Sequence, residues 1–573
     1  MIAPEAIECH APVRWILPLP VDSQISARLM AGAGVVPWVA EVLARRGIVE
    51  PEVALRVLQP RLRGLSDPFL LPGMDAAIAR LLAAIDAGER IALYGDYDVD
   101  GVTSITILTR VLQAYGVVPA AFLPHRVDEG YGLTADGVAR CLETHAPQLL
   151  LAVDCGTTSV AEIGALRAQG VDVIVLDHHE AKAELPPAIA VVNPKLGADF
   201  HYLCSAGLAF KMAHALLKRR PLPGFDLKDV LDLVALGTVA DIVPLVEENR
   251  ILVKAGLERL EQTKWVGLRA LIEVAALRPP FTATDLGFGL GPRLNAAGRL
   301  ASAAAALELL LSEDPVRARA LAAMLDQQNR ERRALEDDVL AKAEAQILGK
   351  YDPQSDAAIV VGATGWHPGV VGIVASRIQR RHHRPVVVVG FDTMGIGKGS
   401  ARSIEGLSMV AALGRCTEHL DKFGGHEMAA GLTMRLENLG VFQIAFGQAA
   451  REMLSTEQLT PRLHLDAELK LADVNLSLLD QHDDLQPFGT GHRQPVFFAR
   501  KVLYAAQPRM MKDRHYSFVF RQGRAEVRAV WWNSAEIPLP ELPWDIAFTV
   551  SRNEWNGNVT PQLEIRDVRT AVG

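Results

Sequence analysis

Short apolar stretches alternate with segments of helical periodicity between residues 88 and 250, and acidic residues follow where the apolar stretches end. Three of these stretches cover residues 91–94, 149–153 and 171–176. Their short, partly β-branched character indicates strands, and the helical segments between them supply the crossovers that parallel strands need. The sequence therefore predicts an α/β fold with a parallel sheet in this part of the chain.

The remainder of the chain changes pattern several times, and its 573 residues are too many for one hydrophobic core. A polar helix that starts at Pro315 and extends to about residue 348 has a thin apolar stripe, which is typical of a connector. Strand-like runs and the Asn556-Gly557 turn indicate a β-barrel near the C-terminus. We predict an N-terminal segment over 1–70, the parallel-sheet domain over 71–265, a helical connector over 266–350, a second, smaller α/β domain over 351–456 and an antiparallel β-barrel over 457–573.

Composition limits the cellular compartment and the types of partner that are expected for this chain. Its five cysteines form neither a CxxC pair nor a disulfide framework, and no apolar run reaches the length of a membrane span. Because the first residues also lack the pattern of a signal peptide, we expect a cytoplasmic protein without a membrane partner. The net charge of -8 argues against coating nucleic acid by bulk electrostatics, although it permits local basic sites.

The sequence YGDYDVDG, residues 94–101, places three carboxylates within five residues directly after the first apolar stretch. Two unit charges about 4 Å apart cost about 4 kcal/mol at a near-surface dielectric, so such a loop is either exposed to water or neutralised by a cation. An EF-hand is excluded, because the twelfth loop position is Ile107 where a bidentate Glu is needed. The preceding segment is also strand-like rather than helical.

Acidic and imidazole side chains follow the other apolar stretches as well, and ligands of open α/β sheets bind beyond the carboxyl ends of the strands. We therefore expect one convergent site from Asp98, Asp100, Asp154, Asp177, His178, His179 and Asp241. Oxygen-rich sites with one or two imidazoles suit Mn²⁺ or Mg²⁺ better than structural Zn²⁺. A shared carboxylate can bridge two such ions about 3.5–4 Å apart, the arrangement used for in-line phosphoryl displacement.

Four motifs give this pattern a family resemblance. The sequences DYDVDG, VDCG, LDHHE and GTVADIVPL resemble the motifs of the DHH phosphoesterase superfamily. Within it, the chain is similar to the RecJ family of bacterial single-strand-specific 5′→3′ DNA exonucleases, over roughly residues 70–570. The stretches LPHRVDEGYGL, PRLNAAGRL, GWHPGVVGIVASR, GKGSARS, GGHEMAAG and PFGTGHRQPVF resemble further parts of that family in the same order. One departure is His492-Arg493, where members often have Asn-Pro.

The resemblance implies a fold with DHH, DHHA1 and OB-fold domains and assigns roles to the acidic cluster. Asp98, Asp100, Asp154, His178 and Asp241 are expected to hold the metal ions, with Asp154 as the bridge. Asp96 either binds an ion or orients a ligand. Asp177 and His179 are expected to support the site, and His179 also lies near the scissile phosphate. Water activated by the ions is the expected nucleophile, in agreement with the lack of a GxSxG motif.

The resemblance also implies that the second α/β domain captures the terminal 5′-phosphate. Its Gly-rich stretch, residues 395–403, is not a P-loop, because Gly399 follows Lys398 where Ser or Thr would be needed. The candidates for phosphate capture are Ser400, Arg402, Gly424, Gly425 and His426, with Ser376 and Arg377 as further candidates. For the DNA backbone the candidates are Arg126, Arg293, Asn295 and Arg299, and Tyr131 is expected to stack on a base.

We therefore expect a monomeric, metal-dependent exonuclease of DNA repair and recombination that releases 5′ mononucleotides from single-stranded DNA with a free 5′ end. Single-strand-binding protein and a helicase are expected as further partners. One alternative is another DHH phosphoesterase that hydrolyses short oligonucleotides, cyclic dinucleotides or pyrophosphate. The other is a non-catalytic DHH scaffold, although such proteins lose carboxylates that this chain retains.

Overall fold

The computed structural model describes residues 13–124, 132–300, 302–353 and 355–571, and its chain is divided between two units. The sheet unit comprises residues 55–330 and 485–493, and the barrel unit comprises the rest. The described part of the chain starts in the barrel unit with a short strand and two helices, followed by a third helix that ends in the sheet unit. These elements are β1 (Arg14–Ile16), α1 (Ser23–Ala33), α2 (Pro37–Arg45) and α3 (Pro51–Leu58).

The sheet unit is built on five parallel strands in the order β3-β2-β4-β5-β6. The strands are β2 (Ile91–Gly95), β3 (Ala120–Phe122), β4 (Leu149–Val153), β5 (Asp172–Leu176) and β6 (Ala190–Val192). Every residue of β2 and β4 is buried, as expected for central strands of a parallel sheet. The prediction of a parallel α/β sheet is confirmed.

Ten helices of the sheet unit surround or extend this sheet in the described ranges. They are α4 (Met74–Ala87), α5 (Val99–Ala114), α6 (Ala135–His145), α7 (Val160–Ala168), α8 (Ser205–Arg219), α9 (Leu231–Ala240), α10 (Glu247–Leu260), α11 (Val266–Val274), α12 (Gly291–Leu300) and α13 (Ala304–Leu311). A π-helical segment, Asp285–Leu290, precedes α12. Only part of the acidic stretch is a loop, because α5 already starts at Val99 and Asp100 lies in its first turn.

A single helix, α14 (Pro315–Leu348), forms the predicted connector and starts with Pro at its first position. The Asp314 carboxylate caps it by accepting a hydrogen bond from the backbone N–H of Val316 at 2.8 Å. In the described part of the chain, no single helix is both long and apolar enough to cross a membrane. Two sharply bent pairs of helical segments pass that test only when combined, namely Ser23–Ala33 with Pro37–Arg45 and Leu62–Leu70 with Met74–Ala87.

The second sheet lies in the barrel unit and is mixed, with the order β10-β11-β9-β8-β7. Only β7 and β8 pair in parallel. The elements are β7 (Ile359–Thr364), α15 (Pro368–His382), β8 (Val386–Phe391), β9 (Ile396–Arg402), α16 (Met409–Gly414), β10 (Lys422–Gly425), β11 (Ala429–Arg435) and α17 (Leu439–Met453). This arrangement confirms the predicted second, smaller α/β domain.

The C-terminal part closes into a five-stranded barrel, because β14 pairs with both β15 and β17. Its elements are β12 (Arg462–His464), β13 (Ala467–Glu468), α18 (Leu476–Asp484), β14 (Phe497–Met511), β15 (His515–Gln522), β16 (Ala525–Trp531), β17 (Trp544–Trp555) and β18 (Asn558–Thr570). Two pairings depart from the antiparallel pattern that was predicted, because β16 pairs in parallel with β18 and β13 pairs in parallel with β14. Buried aromatic residues such as Phe497, Phe518 and Trp544 fill its interior.

Candidate metal centre and anion-binding face

The turn between β2 and α5 brings three aspartates together at the carboxyl end of the sheet. Asp98 is the N-cap of α5, and its Oδ1 accepts the backbone N–H of Gly101 at 3.1 Å. A Cβ on Gly101 would lie 2.4 Å from the carbonyl oxygen of Asp96, so the DVDG turn requires glycine for this close approach. The turn therefore fixes the spacing of the carboxylates.

Asp100 is fully buried and binds the N-terminus of α8 with both oxygens. It accepts hydrogen bonds from the backbone N–H groups of Ser205 at 2.7 Å and Ala206 at 2.8 Å. The positive end of the helix dipole supports a carboxylate at this position. On the other side, a Cβ on Gly237 of α9 would lie 3.0 Å from Asp100 Oδ1, so glycine lets α9 approach the centre.

Asp154 follows β4 with a left-handed backbone, at φ = 62°, which is uncommon for a residue other than glycine. Its backbone N–H donates to the carbonyl of Leu176 at 3.0 Å, which extends the pairing of β4 with β5. The hydroxyl of Ser205 donates to Asp154 Oδ1 at 2.9 Å. The bridging carboxylate that the family resemblance implied is therefore oriented by both its backbone and a neighbouring side chain.

The imidazole of His178 points into the carboxylates. Its Nε2 lies 3.3 Å from Asp154 Oδ1, 3.6 Å from Asp241 Oδ2 and 3.8 Å from Asp100 Oδ2. Burial, followed by the charge of His179, lowers the pKa of His178 to about 4, so the ring is neutral at pH 7. A neutral imidazole offers the lone pair that a metal ligand needs.

Asp177 and His179 form a pair beside this group. His179 Nδ1 lies 2.7 Å from Asp177 Oδ1, while Asp177 Oδ2 accepts the backbone N–H of Thr157 at 3.0 Å. Burial opposes ionisation of Asp177, but the hydrogen bond and charge of His179 hold the pKa of Asp177 below its ordinary value. The same hydrogen bond outweighs burial at His179 and raises the pKa of its imidazole. Asn193 Nδ2 completes the support by donating to Thr157 Oγ1 and to the His179 carbonyl, both at 2.9 Å.

The carboxylates carry more negative charge than the side chains around them can balance. Burial, then the charge of Asp98, raises the pKa of Asp100 to about 6, and burial, then the charge of Asp100, raises that of Asp241 to about 9. The pKa of Asp154 is raised well above its ordinary value by burial and by Asp100. Buried charges of one sign require counter-charge, and divalent cations supply it.

The geometry fits such ions. Neighbouring ligand atoms at about 2.1 Å from an octahedral ion are about 3 Å apart, and His178 Nε2 lies 3.3–3.8 Å from the three carboxylate oxygens around it. Among the described residues, three groups bring potential ligand atoms within 4.8 Å of one another: Asp154-His178-His179, Asp100-Cys204-Asp241 and Asp96-Asp98-Asp154. Asp154 belongs to two of these groups, as a carboxylate shared by two ions would. The predicted residues of the acidic cluster are therefore brought together, and their roles as ligands remain a prediction.

A second polar cluster lies on β9 in the barrel unit. Arg402 donates from Nη1 to Ser400 Oγ at 2.8 Å and from Nε to Ser376 Oγ on α15 at 3.1 Å. No carboxylate among the described residues pairs with Arg402, and burial lowers the pKa of its guanidinium. A partly buried cation without an anion is costly, so this cluster is suited to an anionic ligand.

Bare backbone lies beside this cluster. Gly431 of β11 pairs with Ser400, and Gly424 of β10 pairs with Gly431, so the three residues form a row across the sheet. A Cβ on either glycine would meet nothing within 4 Å, which leaves the face next to Ser400 open. Gly425 ends β10, and the exposed His426 follows it, with its backbone N–H on the carbonyl of Ala429. We call the cluster of Arg402, Ser400 and Ser376 with this row of glycines the anion-binding face.

The remaining residues that were predicted to contact DNA differ in their surroundings. Arg293 is engaged with Asp326 at 2.9 Å in the sheet unit, and Arg377 with Glu336 at 3.0 Å in the barrel unit. Both guanidiniums are thus ion-pair partners in this structure. Asn295 lies partly buried on α12. Arg126 and Tyr131 lie outside the described residues, as does the side chain of Arg299.

Sequence patterns missed several residues that support the metal centre: Ser205, Thr157, Asn193 and Cys204. Cys204 is buried with its Sγ 3.6 Å from Thr238 Oγ1, and its thiol hydrogen-bonds to Asp100. None of these residues lies within the acidic motifs. The start of α8 after Cys204 could have indicated Ser205 and Cys204, but it does not show which carboxylate α8 approaches.

Three family models match the chain, in the order expected from its motifs. They are the DHH family N-terminal domain over residues 90–238, the DHHA1 domain over 355–452 and the RecJ OB domain over 465–567.

Known proteins resemble the chain over most of its length. The single-stranded-DNA-specific exonuclease RecJ of Bacillus subtilis (strain 168) is 36% identical over 568 residues, which cover 97% of this chain and 70% of that protein. The crystal structure of RecJ from Thermus thermophilus in complex with Mn²⁺ matches with a TM-score of 0.84 and 34% identity, over 98% of this chain and 80% of that chain. The Mg²⁺ complex from the same organism matches with a TM-score of 0.78 and 32% identity, over 98% of this chain and 79% of that chain.

Proposed function

The chain belongs to the family of RecJ single-stranded-DNA-specific exonucleases, and on this basis we propose that it removes mononucleotides from the 5′ end of single-stranded DNA. It is a metal-dependent exonuclease of the DHH superfamily that uses Mn²⁺ or Mg²⁺. The observation that carries the proposal is the convergence of Asp100, Asp154 and Asp241 on His178 Nε2 within 3.8 Å. A non-catalytic scaffold would have no functional need for the electrostatic repulsion among these buried carboxylates.

Each residue of the centre has a distinct task in the proposed reaction. When bound, two divalent ions would lower the pKa of coordinated water and stabilise the charge that develops on the phosphodiester. Asp96, Asp98, Asp100, Asp154, His178 and Asp241 would hold these ions. Ser205 fixes the orientation of Asp154, and the N-terminus of α8 favours the ionised form of Asp100 and holds it in place.

His179 is the group that contacts the phosphate in this proposal. Asp177 accepts from Nδ1 of His179 and raises the pKa of the imidazole, which favours a proton on Nε2 as well. From that position Nε2–H can donate to a non-bridging oxygen of the scissile phosphate. Asn193 and Thr157 keep the Asp177–His179 pair in one orientation through their hydrogen bonds.

Recognition of the end is assigned to the anion-binding face. Arg402 and Ser400 would bind the terminal 5′-phosphate, and the bare backbone at Gly424 and Gly425 would let the phosphate approach, with His426 beside it. Ser376 orients Arg402 and belongs to the same group. The support for this assignment is a partly buried guanidinium that has hydroxyl partners but no carboxylate among the described residues.

Contacts along the DNA backbone are assigned to Arg126, Arg293, Asn295 and Arg299, and Tyr131 would stack on a base. Arg377 is a further candidate for capture of the 5′-phosphate. Since Arg293 and Arg377 are held in ion pairs, DNA phosphates would have to compete with Asp326 and Glu336 for them. The barrel is proposed as a grip on the single strand. We further propose that the protein is a monomer that acts in the cytoplasm, in DNA repair and recombination. Its proposed protein partners are single-strand-binding protein and a helicase.

The test is a digestion of single-stranded DNA that carries a 5′-phosphate and a fluorophore at its 3′ end, in the presence of Mn²⁺. We expect mononucleotides as the first products, while the labelled strand shortens from its 5′ end. Blunt duplex DNA and pyrophosphate should be left intact. Asp154→Ala should abolish release of nucleotides while the variant still binds the strand. Preferred hydrolysis of pyrophosphate, a cyclic dinucleotide or short oligonucleotides would contradict the proposal, and so would digestion from the 3′ end.

A further inference from the structure

Ile242, which directly follows Asp241, has an unusual conformation and an unusual environment. Its backbone is left-handed, at φ = 63°, and its side chain is 71% exposed. A β-branched residue in this region is a genuine outlier, because its Cβ approaches the neighbouring carbonyl. Glycine or asparagine normally occupies the position after the end of a helix. Both the backbone strain and the exposed apolar side chain cost free energy at this residue.

The surroundings hold this conformation in place. The backbone N–H of Ile242 donates to the carbonyl of Val239 at 3.3 Å, in the last turn of α9. Two residues further on, Asn249 Nδ2 donates to the Pro244 carbonyl at 3.0 Å, and the backbone N–H of Leu245 donates to the carbonyl of Thr490 at 2.7 Å. Strain of this kind persists where the fold fixes it, and it is concentrated at functional sites.

The position of Ile242 relates it to the metal centre. Consecutive Cα atoms are about 3.8 Å apart, so the backbone of Ile242 directly adjoins Asp241, whose Oδ2 lies 3.6 Å from His178 Nε2. A second exposed apolar side chain, Phe288, is 48% exposed on the π-helical segment beside α9. That segment contacts α9 closely, since a Cβ on Gly287 would lie 3.5 Å from Val239 Cγ1.

An apolar side chain beside a cluster of carboxylates cannot bind a phosphate or a metal ion. What accompanies a phosphate in a nucleic acid is a nucleobase, and its face accepts apolar contact whatever the base is. We propose that Ile242 packs against a base next to the scissile phosphate and so positions that phosphate over the metal centre. This inference rests on the proposed function. It assigns a substrate contact to Ile242, which is not among the residues that were expected to contact DNA. It predicts a contact without base preference, since Ile242 has no hydrogen-bonding side chain.

The test compares two 5′-phosphorylated single strands in single-turnover digestion by the full chain with Mn²⁺. One strand has normal bases throughout, and the other has abasic sugars at its first two nucleotides. The variants are Ile242→Gly, which removes the contact and suits the left-handed backbone, and Ile242→Val, which retains most of the contact. Binding is measured separately by fluorescence anisotropy in the Asp154→Ala background, and stability is measured by thermal unfolding.

We expect Ile242→Gly to lower kcat/KM on the normal strand by about fivefold to tenfold, at the weak end of the range for contact with a base. On the abasic strand it should match the wild type, because the partner of the side chain is missing there. Its Tm should equal or exceed that of the wild type, since glycine adopts this backbone without strain. Ile242→Val should lie close to the wild type on both strands.

Three results would overturn the proposal. An equal loss on both strands would show that Ile242 only shapes the Asp241 loop. A lower Tm for Ile242→Gly would show that the side chain is a packing element. Unchanged kinetics on both strands would leave its exposed surface to a different partner, such as a protein. If the wild type digests neither strand, the proposed function itself fails, which is a separate outcome in the same assay.

Discussion

Asp154 shows how much the metal centre depends on single residues. Its left-handed backbone turns the chain at the end of β4, and the Ser205 hydroxyl holds one carboxylate oxygen at 2.9 Å. A fully buried carboxylate with a raised pKa is prone to protonation, and a fixed hydrogen-bond donor opposes this by favouring the ionised form. Ser205 is therefore a positioning residue for the carboxylate assigned as the bridge.

Ser205→Ala should weaken Mn²⁺ binding by about tenfold, as is common when a hydrogen-bond partner of a metal ligand is removed. The physical reason is that Asp154 loses the donor that stabilises its charge and orientation. Titration calorimetry of the metal-free protein with Mn²⁺ measures the affinity directly, without any turnover.

Ser205→Thr retains the hydroxyl and should restore most of the Mn²⁺ affinity that Ser205→Ala loses. Ser477→Ala provides a control, because Ser477 is an exposed serine on α18 in the barrel unit. If Ser205→Ala bound Mn²⁺ as the wild type does, the hydrogen bond to Asp154 would have no role in metal binding.

The raised pKa values of the carboxylates make the metal-free protein sensitive to pH. Asp241, with a pKa of about 9, and Asp100, with a pKa of about 6, bind protons in the folded state that they release in the unfolded chain above about pH 4. In the folded state Asp100 therefore holds an extra proton between about pH 4 and pH 6, and Asp241 holds one between about pH 4 and pH 9. The contribution of these two carboxylates to stability falls as pH rises through that range. Each such proton changes the free energy of unfolding by at most about 1.4 kcal/mol per pH unit.

We accordingly expect the Tm of the metal-free protein to fall between pH 6 and pH 9. Saturating Mn²⁺ should flatten this dependence, because the ions replace the protons on the carboxylates. Calorimetric titrations in buffers of different ionisation enthalpy should show release of protons on Mn²⁺ binding at pH 7. A Tm that rises with pH in the absence of metal would contradict the assigned pKa directions.

At the scale of elements, helix termini and strand ends position the carboxylates of the metal centre. The N-terminus of α8 faces Asp100, the C-terminus of α9 carries Asp241, and β4 ends directly at Asp154. The segment of residues 485–493 also belongs to the sheet unit, and it is fixed by Arg250. Its buried guanidinium donates to the carbonyls of Leu485, Gln486 and Pro487 at 2.8–3.0 Å.

That segment contains the departure from the family pattern. His492 is buried, stacks on Phe488 with ring centroids 6.0 Å apart, and its Nε2 lies 2.9 Å from the Leu485 carbonyl. The imidazole therefore closes this loop on itself. The same loop supports the turn after α9 through the hydrogen bond from Leu245 to the carbonyl of Thr490.

Strand β9 presents Ser400 and Arg402 on one face, and this arrangement allows a test of end recognition. Arg402→Lys should remove most of the preference for 5′-phosphorylated over 5′-hydroxyl ends, by about 10-fold to 100-fold. A lysine keeps the charge but loses the planar fork that can bind Ser400 and a phosphate together. Initial rates on the two kinds of strand measure this preference.

Arg435→Lys on the neighbouring strand β11 is the control, because it makes the same change at an exposed position paired with Ile396. It should leave the preference for the 5′-phosphate unchanged. Equal effects of both substitutions, or an unchanged preference in Arg402→Lys, would remove the anion-binding face from end recognition.

At the scale of the whole molecule, both ends of the described chain meet in the barrel unit. Strand β1 pairs in parallel with β12, and Trp15 donates from Nε1 to Asp567 Oδ2 at 2.5 Å. The guanidinium of Arg569 lies over the Trp15 ring, 4.1 Å from its centroid. Farther along, Trp38 packs edge-on against Phe497 of the barrel interior. Residues 13–54 of the predicted N-terminal segment are thus part of this unit, whereas residues 55–70 belong to the sheet unit.

Trp15→Ala should destabilise the barrel unit by about 3 kcal/mol or more, as is typical when a large buried aromatic residue is truncated. Trp555→Ala is the matched control, since Trp555 is 71% exposed and its loss should cost less than about 0.5 kcal/mol. Thermal unfolding followed by tryptophan fluorescence distinguishes the two. Similar Tm values for both variants would show that the N-terminal segment does not stabilise the barrel.

The sequence by itself determined the class of the fold and the composition of the centre. Parallel strands were predictable because their apolar stretches are short, separated by helical segments and followed by acidic residues, and these are local patterns. Asp98, Asp154 and His178 could be expected to converge for the same reason, since the carboxyl ends of parallel strands lie at one edge of a sheet. The closed barrel was predictable from its strand runs and the Asn556-Gly557 turn.

Only the tertiary structure decided which groups hold these side chains in place. Ser205 contacts Asp154 across 51 residues of sequence, and its backbone N–H reaches Asp100 across 105. No local pattern records such a contact, because it depends on how α8 packs beside the sheet. The ion pairs of Arg293 and Arg377 and the strained, exposed Ile242 were likewise invisible in the sequence. Burial, backbone angle and charge compensation are properties of the packed chain, and they arise only when distant segments meet.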